Sequence, residues 1–521
     1  MKIATLSLDF QGRTVECKFK GELQLHLLRT VMKKLVLGLG LIALAFCLGC
    51  GDNGNNNGGG PVPIGNFSNA SLNGQFAYQL VGVDTVDNFR EAGVLVADGS
   101  GNITSGVDDF SQGSSVFSDQ SSGSYSISND GTGTATLNFS GGGFITFALT
   151  LVSSSKFYMI VTSASNVQSS TVASGAGVGE KQDTSVFSAP PNGTFVFRQH
   201  TISSAQGASS NVGVFTSGGG ILTGSEDLNH GGSFSTLTLT GLLNSPDGFG
   251  RASGTMTDSN NVTSTFVYYI VNANNIRFFS TDAGSPGLGR AEMQTAAVYS
   301  NTSLNGNYVF GGNGDTLANF GSSRAVGAFT ADGAGTLSAG AYDAVVDGTT
   351  STNIAFSGSY SMASDGRAVL NTTPVAGATT QVFWMVSPSR AFYLLDDPNR
   401  IEDGTVDLQT TSSFSNGTMN GQFGLVMHGY VLGADTFDRV GTLQWDGNGT
   451  LTLNEAINLS GTVSSSGFIT GTYSVGSNGR ATGSISGLSN NLVFYLISGT
   501  DGYVLQNDTS TEIDGIMSKQ Q

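Results

Sequence analysis

Asn73-Gly74-Gln75-Phe76 opens a pattern that decides how this chain folds, because it returns as Asn192-Gly193-Thr194-Phe195, Asn305-Gly306-Asn307-Tyr308 and Asn420-Gly421-Gln422-Phe423. The spacings are 119, 113 and 115 residues. Solenoid and propeller repeats recur every ~20–50 residues. A period this long fits small domains that each bury a core of their own. Other landmarks keep the same order. An aromatic-Ser pair stands just before each Asn, at Phe67-Ser68, Phe187-Ser188, Tyr299-Ser300 and Phe414-Ser415. Gly-rich turns follow at Asp98-Gly99, Ser217-Gly218, Asp332-Gly333 and Asp446-Gly447, and later turns at Asp130-Gly131, Asp247-Gly248, Asp365-Gly366 and Asn478-Gly479. Gly-[Ser/Thr]-Tyr precedes the later turn in three copies, from Gly123, Gly358 and Gly471. Each copy ends on Gly-x4-Gln, with Gln182, Gln294, Gln409 and Gln520. The repeats therefore span 66–182, 186–294, 298–409 and 413–521.

Between these turns the chain alternates apolar and polar residues, the period of a half-buried strand. Phe76, Tyr78 and Leu80 share one face. In the first copy, strands are expected over 93–97, 102–110, 122–128, 132–139, 144–152 and 156–162, with a last one running toward Gln182. About eight strands per copy, joined by hairpin turns, give an all-β chain of four tandem antiparallel up-and-down barrels. An immunoglobulin-like sandwich is the alternative. Late in each copy the strands are apolar on both faces, as in Phe266-Val267-Tyr268-Tyr269-Ile270-Val271 and Phe383-Trp384-Met385-Val386. Such strands pack on a neighbour outside as well as on a core inside. Gly-x-aromatic opening a meander of about eight strands resembles the calycins, the lipocalin and avidin group, whose signature at this place is Gly-x-Trp. That resemblance implies a cup able to hold a ligand. The residues facing it would be Phe76, Tyr78, Phe195, Phe197, Tyr308, Phe310 and Phe423, and the ligand a small apolar molecule or a glycan.

The N-terminus reads as a targeting segment. Met32-Lys33-Lys34 is a positive start, 35–48 an apolar run, and Leu48-Gly49-Cys50 a small residue before a cysteine. The run is shorter than the ~20 residues a membrane-spanning helix needs and has the length of a secretory core. It resembles a bacterial lipoprotein signal peptide, although Cys47 stands where that family usually has Leu. The resemblance implies cleavage before Cys50 and lipid on its thiol and new amine. Cleavage before Cys47 would put bulky Phe46 at the small-residue site. On this reading 1–31 is an upstream extension and Met32 the true start, 32–49 is the signal, and 50–65 is the lipidated Cys and a Gly/Asn-rich tether. The protein would sit at the outer membrane or cell surface, anchored to the membrane by that lipid.

Residues 1–49 hold 7 of the 21 basic and 3 of the 38 acidic residues, leaving 14 and 35 in the remainder, a net charge of −21. With no basic stripe, nucleic acid is excluded as a partner. The cysteines are Cys17, Cys47 and Cys50, so the repeats have no disulfide and no thiolate metal site.

Chemistry-bearing residues are sparse. His200 and His428 both fall eight residues after the repeat's Asn and point away from the interior; with so many Ser and Asp residues, any Ser-His-Asp set drawn from the sequence alone is uninformative. Asp108, Asp109, Glu226, Asp227, Asp343 and Glu455 follow the first turn and read as solvated strand-end charge, or else as a calcium site at a barrel rim. Asp396-Asp397 reads as a turn before Pro398. Trp384 is expected in a core and Trp445 on the surface. No cofactor, metal or catalytic set is expected. The chain reads as a lipid-anchored, non-catalytic binding or structural module; the alternative is a secreted carbohydrate hydrolase using carboxylates brought together between domains. N-terminal analysis and mass spectrometry should find a mature chain starting at an acylated Cys50 and a precursor starting at Met32. A mature chain without an acyl group, or a precursor starting at Met1, contradicts this.

Overall fold

A computed structural model describes residues 3–10, 13–20, 65–83, 88–112, 115–166, 174–203, 207–317, 321–432, 435–485 and 491–521. The signal segment, Cys50 and the tether lie outside the described residues. The chain divides into two units, Met1–Val62 and Pro63–Gln521. In the first, Ile3–Phe10 and Arg13–Lys20 pair antiparallel.

The second unit is four eight-stranded antiparallel barrels in tandem, each a closed meander of sequential strands. The first runs from Asn73–Val83 to Ser174–Lys181, which pair with each other to close the ring of strands. Gly193–Ser203 and Gly287–Met293 close the second, and Asn305–Thr316 and Arg400–Leu408 the third. Asn420–Val431 and Thr511–Lys519 do so in the fourth. There, Thr450–Leu459 pairs along part of its length with Thr462–Ser465 and along the rest with Ile469–Val475. These two short strands stand where the first barrel has the single strand Ser115–Ile127. The sandwich alternative is thereby excluded.

The repeated residues are the ones the barrel needs. The Gly of each Asn-Gly takes φ between +111° and +136°, a region where a side chain is strained. Asp98, Asp332 and Asp446 accept hydrogen bonds from backbone N–H groups two and four residues on, at 2.7–3.0 Å. They hold their turns. Tyr125 donates to the carbonyls of Asn69 and Leu72, and Tyr360 and Tyr473 repeat this in the third and fourth barrels. The short segment carrying the aromatic-Ser pair is thus tied across one barrel end. The second barrel has Leu243 at the Tyr position and instead uses a turn, Thr184–Val186, capped by Asp183.

Inward positions fill each barrel. Outward positions of the late strands cover the preceding barrel. Val267, Tyr269 and Val271 pack on Ala77, Ala92, Val94 and Val107 of the first barrel. Val382, Trp384 and Val386 pack on the second, and Val493, Tyr495 and Leu505 on the third. Ala148, Val152, Tyr158 and Ile160 of the first barrel meet Val426 and Val440 of the fourth. The barrels form a closed ring.

The closing glutamines show how the ring is written into the repeat. Gln182 donates to Phe249 and Ile270 carbonyls of the second barrel, Gln294 to Asp365 and Met385 of the third, and Gln409 to Asn478 and Leu496 of the fourth. Gln520 makes the same pair of bonds to Asp130 and Leu151 of the first barrel.

Three junctions carry a further lock. Arg251 makes a two-pronged ion pair to Asp109, which also accepts from the Tyr269 hydroxyl. Arg367 grips Asp227, with the Trp384 indole N–H at 2.8 Å, and Arg480 grips Asp343, with the Tyr495 hydroxyl at 2.8 Å. At the junction of fourth and first barrels all three partners differ. Strand register puts Thr132, Thr150 and Ala456 at the Arg, aromatic and Asp positions. The seam is apolar contact plus hydrogen bonds without an arginine, among them those of Gln520, Ser174 to Asp438, Tyr158 with Ser518, and Asn458 to the Val161 carbonyl. Removing one partner of a buried ion pair costs about 3–5 kcal/mol because the other charge stays buried. Arg367→Ala should therefore lower the denaturant midpoint by an amount worth about 3–5 kcal/mol, whereas Thr132→Ala should cost under ~1 kcal/mol. Equal effects would mean the locks are not what distinguishes the junctions.

Candidate functional site

The outer faces of all four barrels enclose a central space of about 680 Å³. Three matched register positions of each barrel, on its first, last and penultimate strands, lie at its wall, and all of their residues except Tyr158 and Phe392 line the space itself. They are Gln79, Val178 and Tyr158 in the first barrel, and Gly311, Thr405 and Phe392 in the third. In the fourth they are Val426, Ile516 and Tyr503. In the second they are Arg198, Arg290 and Arg277, directly opposite one another on adjacent strands. Seven of the 14 basic residues beyond Cys50 line this space, among them Arg90, Lys156 and Arg324.

Carboxylates from three barrels face these arginines. Arg277 pairs with Glu180 of the first barrel. Arg198 reaches Asp403 of the third at 2.5 Å. Arg290 pairs with Glu292, which also meets Arg390 at 2.8 Å. Arg390 holds Asp407 at 3.0 Å, and Asp407 accepts from the Tyr503 hydroxyl of the fourth barrel at 2.5 Å. Burial works to raise Glu292, but Arg290, Arg390 and Arg277 outweigh it and hold the carboxyl down at about 2. Burial lowers Arg290 to about 10, and Arg277, Arg390 and Arg198 add to that against Glu292. The guanidinium groups of Arg198 and Arg290 lie 5.8 and 5.5 Å from the Phe392 ring centre, within cation–π range.

His200 and His428 stand on the same wall. They point out of their barrels as expected, yet are only 20% and 21% exposed because the neighbouring barrels enclose them. His200 Nε2 is 2.9 Å from Asp315 and Nδ1 is 2.7 Å from Ser210 Oγ. This joins Ser, His and Asp in the order of a hydrolytic triad. Ser210 is fully buried and faces Asp403 as well, so no substrate reaches its oxygen. The set links the second barrel to the third. His428 Nδ1 lies 2.6 Å from Asp438.

The acidic residues read as solvated are all buried, which corrects that expectation. Asp109, Asp227 and Asp343 are the lock acceptors, because their outward face is another barrel's interface. Asp108, Glu226 and Glu455 point into barrels. Asp108 lies beside Glu91 with the Tyr78 hydroxyl donating to it at 2.6 Å, and burial, followed by each other's charge for Glu91, pushes both acids up. Glu455 pairs with Arg439. Trp445 is wholly buried in the fourth barrel, not exposed: it alternates inward, one turn residue earlier than the rim. Trp384 is buried as expected, at the junction with the second barrel. Asp397 caps its own turn through Asn399. Among the described residues no three Asp, Glu, His or Cys side chains converge as metal ligands would, and no helix is long and apolar enough to cross a membrane.

Phe76, Tyr78, Phe195, Phe197, Tyr308, Phe310 and Phe423 all point into their barrels and are buried there among other core side chains. Phe195 stacks on Phe215 and Tyr308 on Phe329. The central space, lined by outward residues, escaped the sequence reading; the signal that could have found it was the arginine trio peculiar to one copy.

No protein-family model and no curated protein matches this chain. Among solved structures, intact Ap-TbpB with its N and C lobes is similar at 11% identity over 70% of this chain and 84% of that one, with a TM-score of 0.17. A double mutant of transferrin-binding protein B from Haemophilus parasuis Hp5 is similar at 12%, over 70% and 83%, with a TM-score of 0.17. CghA is similar at 8%, over 90% and 96%, with a TM-score of 0.16. Such scores are too low to carry an argument about function.

Glu226 gives a pH test. Burial raises it to about 7 against the Asn211 hydrogen bond, and Asp258 and Asp227 add to the rise. The folded state then keeps the proton longer than the unfolded one. The resulting stability is complete below the ordinary value of 4.5 and lost as pH rises to about 7. Two and a half pKa units correspond to roughly 3 kcal/mol. Glu226→Gln should match the native chain at pH 4 and exceed it at pH 8 by roughly 3 kcal/mol in denaturant unfolding. A difference that does not grow with pH contradicts the shift.

Proposed function

We propose that this chain is a lipid-anchored cell-envelope protein, tethered through Cys50 at the outer membrane or cell surface, that binds a ligand in the space between its four barrels and performs no chemistry on it. The observation carrying this reading is that one copy alone has arginines at three matched positions where the other three copies have neutral residues. A duplicated scaffold needs no such difference, whereas a single shared site does. The packed barrel interiors favour this space over the individual cups, and its charged lining favours a glycan over an apolar molecule.

The hydrolase reading needs two carboxyl groups with different protonation, one an acid and one a base. Glu180, Glu292, Asp403 and Asp407 are each held by arginine, Asp315 is held by His200, and Glu292 stays ionised well below neutral pH. This supports binding over hydrolysis. A glycan and lipid array with the full chain in detergent, run beside a hydrolase panel, tests the proposal. Retention should fall at least tenfold in Asn313→Trp, which fills the space from an exposed position on its wall. Turnover that one carboxylate substitution abolishes would overturn the reading.

A further inference from the structure

We infer that Arg198 and Arg290 form a docking site for one oxyanion, a carboxylate or a phosphate, of a ligand entering the central space; this rests on reading that space as a binding site.

Three like charges directly opposite one another on neighbouring strands repel. The ring does not require them, since the equivalent positions are Gln79, Val178 and Tyr158 in the first barrel and wholly uncharged in the other two as well. Ion pairs to neighbouring barrels, Arg277 to Glu180 and Arg198 to Asp403, offset part of that cost.

Arg198 and Arg290 use their donors differently from the arginines of the three locks and from Arg439 inside the fourth barrel. Arg251, Arg367, Arg480 and Arg439 each place Nε and Nη2 together on one carboxylate. That two-pronged edge is what makes arginine fit carboxylate and phosphate. Arg198 gives only Nη1, to Asp403, and Arg290 only Nη2, to Glu292. The Nε–H groups of both are buried and have no hydrogen-bond partner. A buried donor left unpaired costs about 1–3 kcal/mol, and an arriving oxyanion would satisfy it. The two side chains retain 26% and 27% exposure through their other atoms, so the space reaches the guanidinium ends, and a shift of the side chain would turn each shielded Nε–H to the oxyanion.

The surrounding carboxylates are committed elsewhere. Glu180 is held by Arg277, with Arg290 and Lys156 acting on it as well. Asp407 is held by Arg390 and Tyr503, and Glu292 is shared with Arg390. Arg198, Arg277, Arg290 and Arg390 thus face Glu180, Glu292, Asp403 and Asp407, four to four. The docking site rests on unused donors of Arg198 and Arg290, not on an excess of charge.

The test is titration calorimetry on the full chain in detergent with inorganic phosphate in one arm and acetate in the other. At least one should bind saturably with one site per chain, and the tighter arm identifies the group. Arg198→Gln and Arg290→Gln should each weaken it tenfold or more, Arg198→Lys should recover part of the loss, and Lys181→Gln, remote from the space, should change it less than twofold. Thermal melts of each variant show whether the ring is kept. Native protein that binds neither probe, or binding that both glutamine variants leave intact, overturns the inference. If neutral glycans are retained and lost in Asn313→Trp while both anions fail, the oxyanion site falls and the binding role survives. If glycans and anions both fail, both fall.

Discussion

Strands that are apolar on both faces must be covered twice. Within each repeat the inward residues are covered by closing the sheet on itself, which also removes the exposed edges that would otherwise invite aggregation. The outward residues of the late strands then remain, and only another barrel can cover them. Val267, Tyr269 and Val271 on one strand, with Phe266, Tyr268 and Ile270 between them, show the two demands side by side. Four barrels arranged in a ring satisfy both without leaving an uncovered member at either end.

That arrangement changes what polar residues on the barrel surface experience. Asp109, Asp227 and Asp343 would be ordinary surface acids on isolated barrels. In the ring they are buried, and each is matched by an arginine and an aromatic donor of the following barrel. Buried ion pairs add little net stability compared with apolar packing, but breaking one is costly. They act here to fix orientation. The seam between fourth and first barrels lacks all three partners together, so no charge is left stranded there. It is also the one junction where the chain itself does not run from one barrel into the next.

The central space follows from the ring and from nothing within a single repeat. Residues from four copies, hundreds of positions apart, share it. At three matched positions the second copy contributes arginines where the other three contribute neutral side chains, so the pseudo-symmetry of the wall is broken in its chemistry. The barrel interiors hold packed side chains where the cup expected from the sequence would hold a ligand.

The sequence by itself determined the fourfold repeat, the sequential antiparallel strands, the turns at Asp98, Asp332 and Asp446, and the need for an external neighbour at Phe266–Val271 and Phe383–Val386. These depend on local alternation and on residues that force a turn, both readable within a few positions. It misplaced Asp227 and Trp445, and it left His200 and the arginines without a setting. Alternation separates inward from outward but does not say what lies outside. Only the tertiary structure decided that, because outward side chains acquire their surroundings from segments more than a hundred residues away, and burial, ion pairing and access are properties of those surroundings.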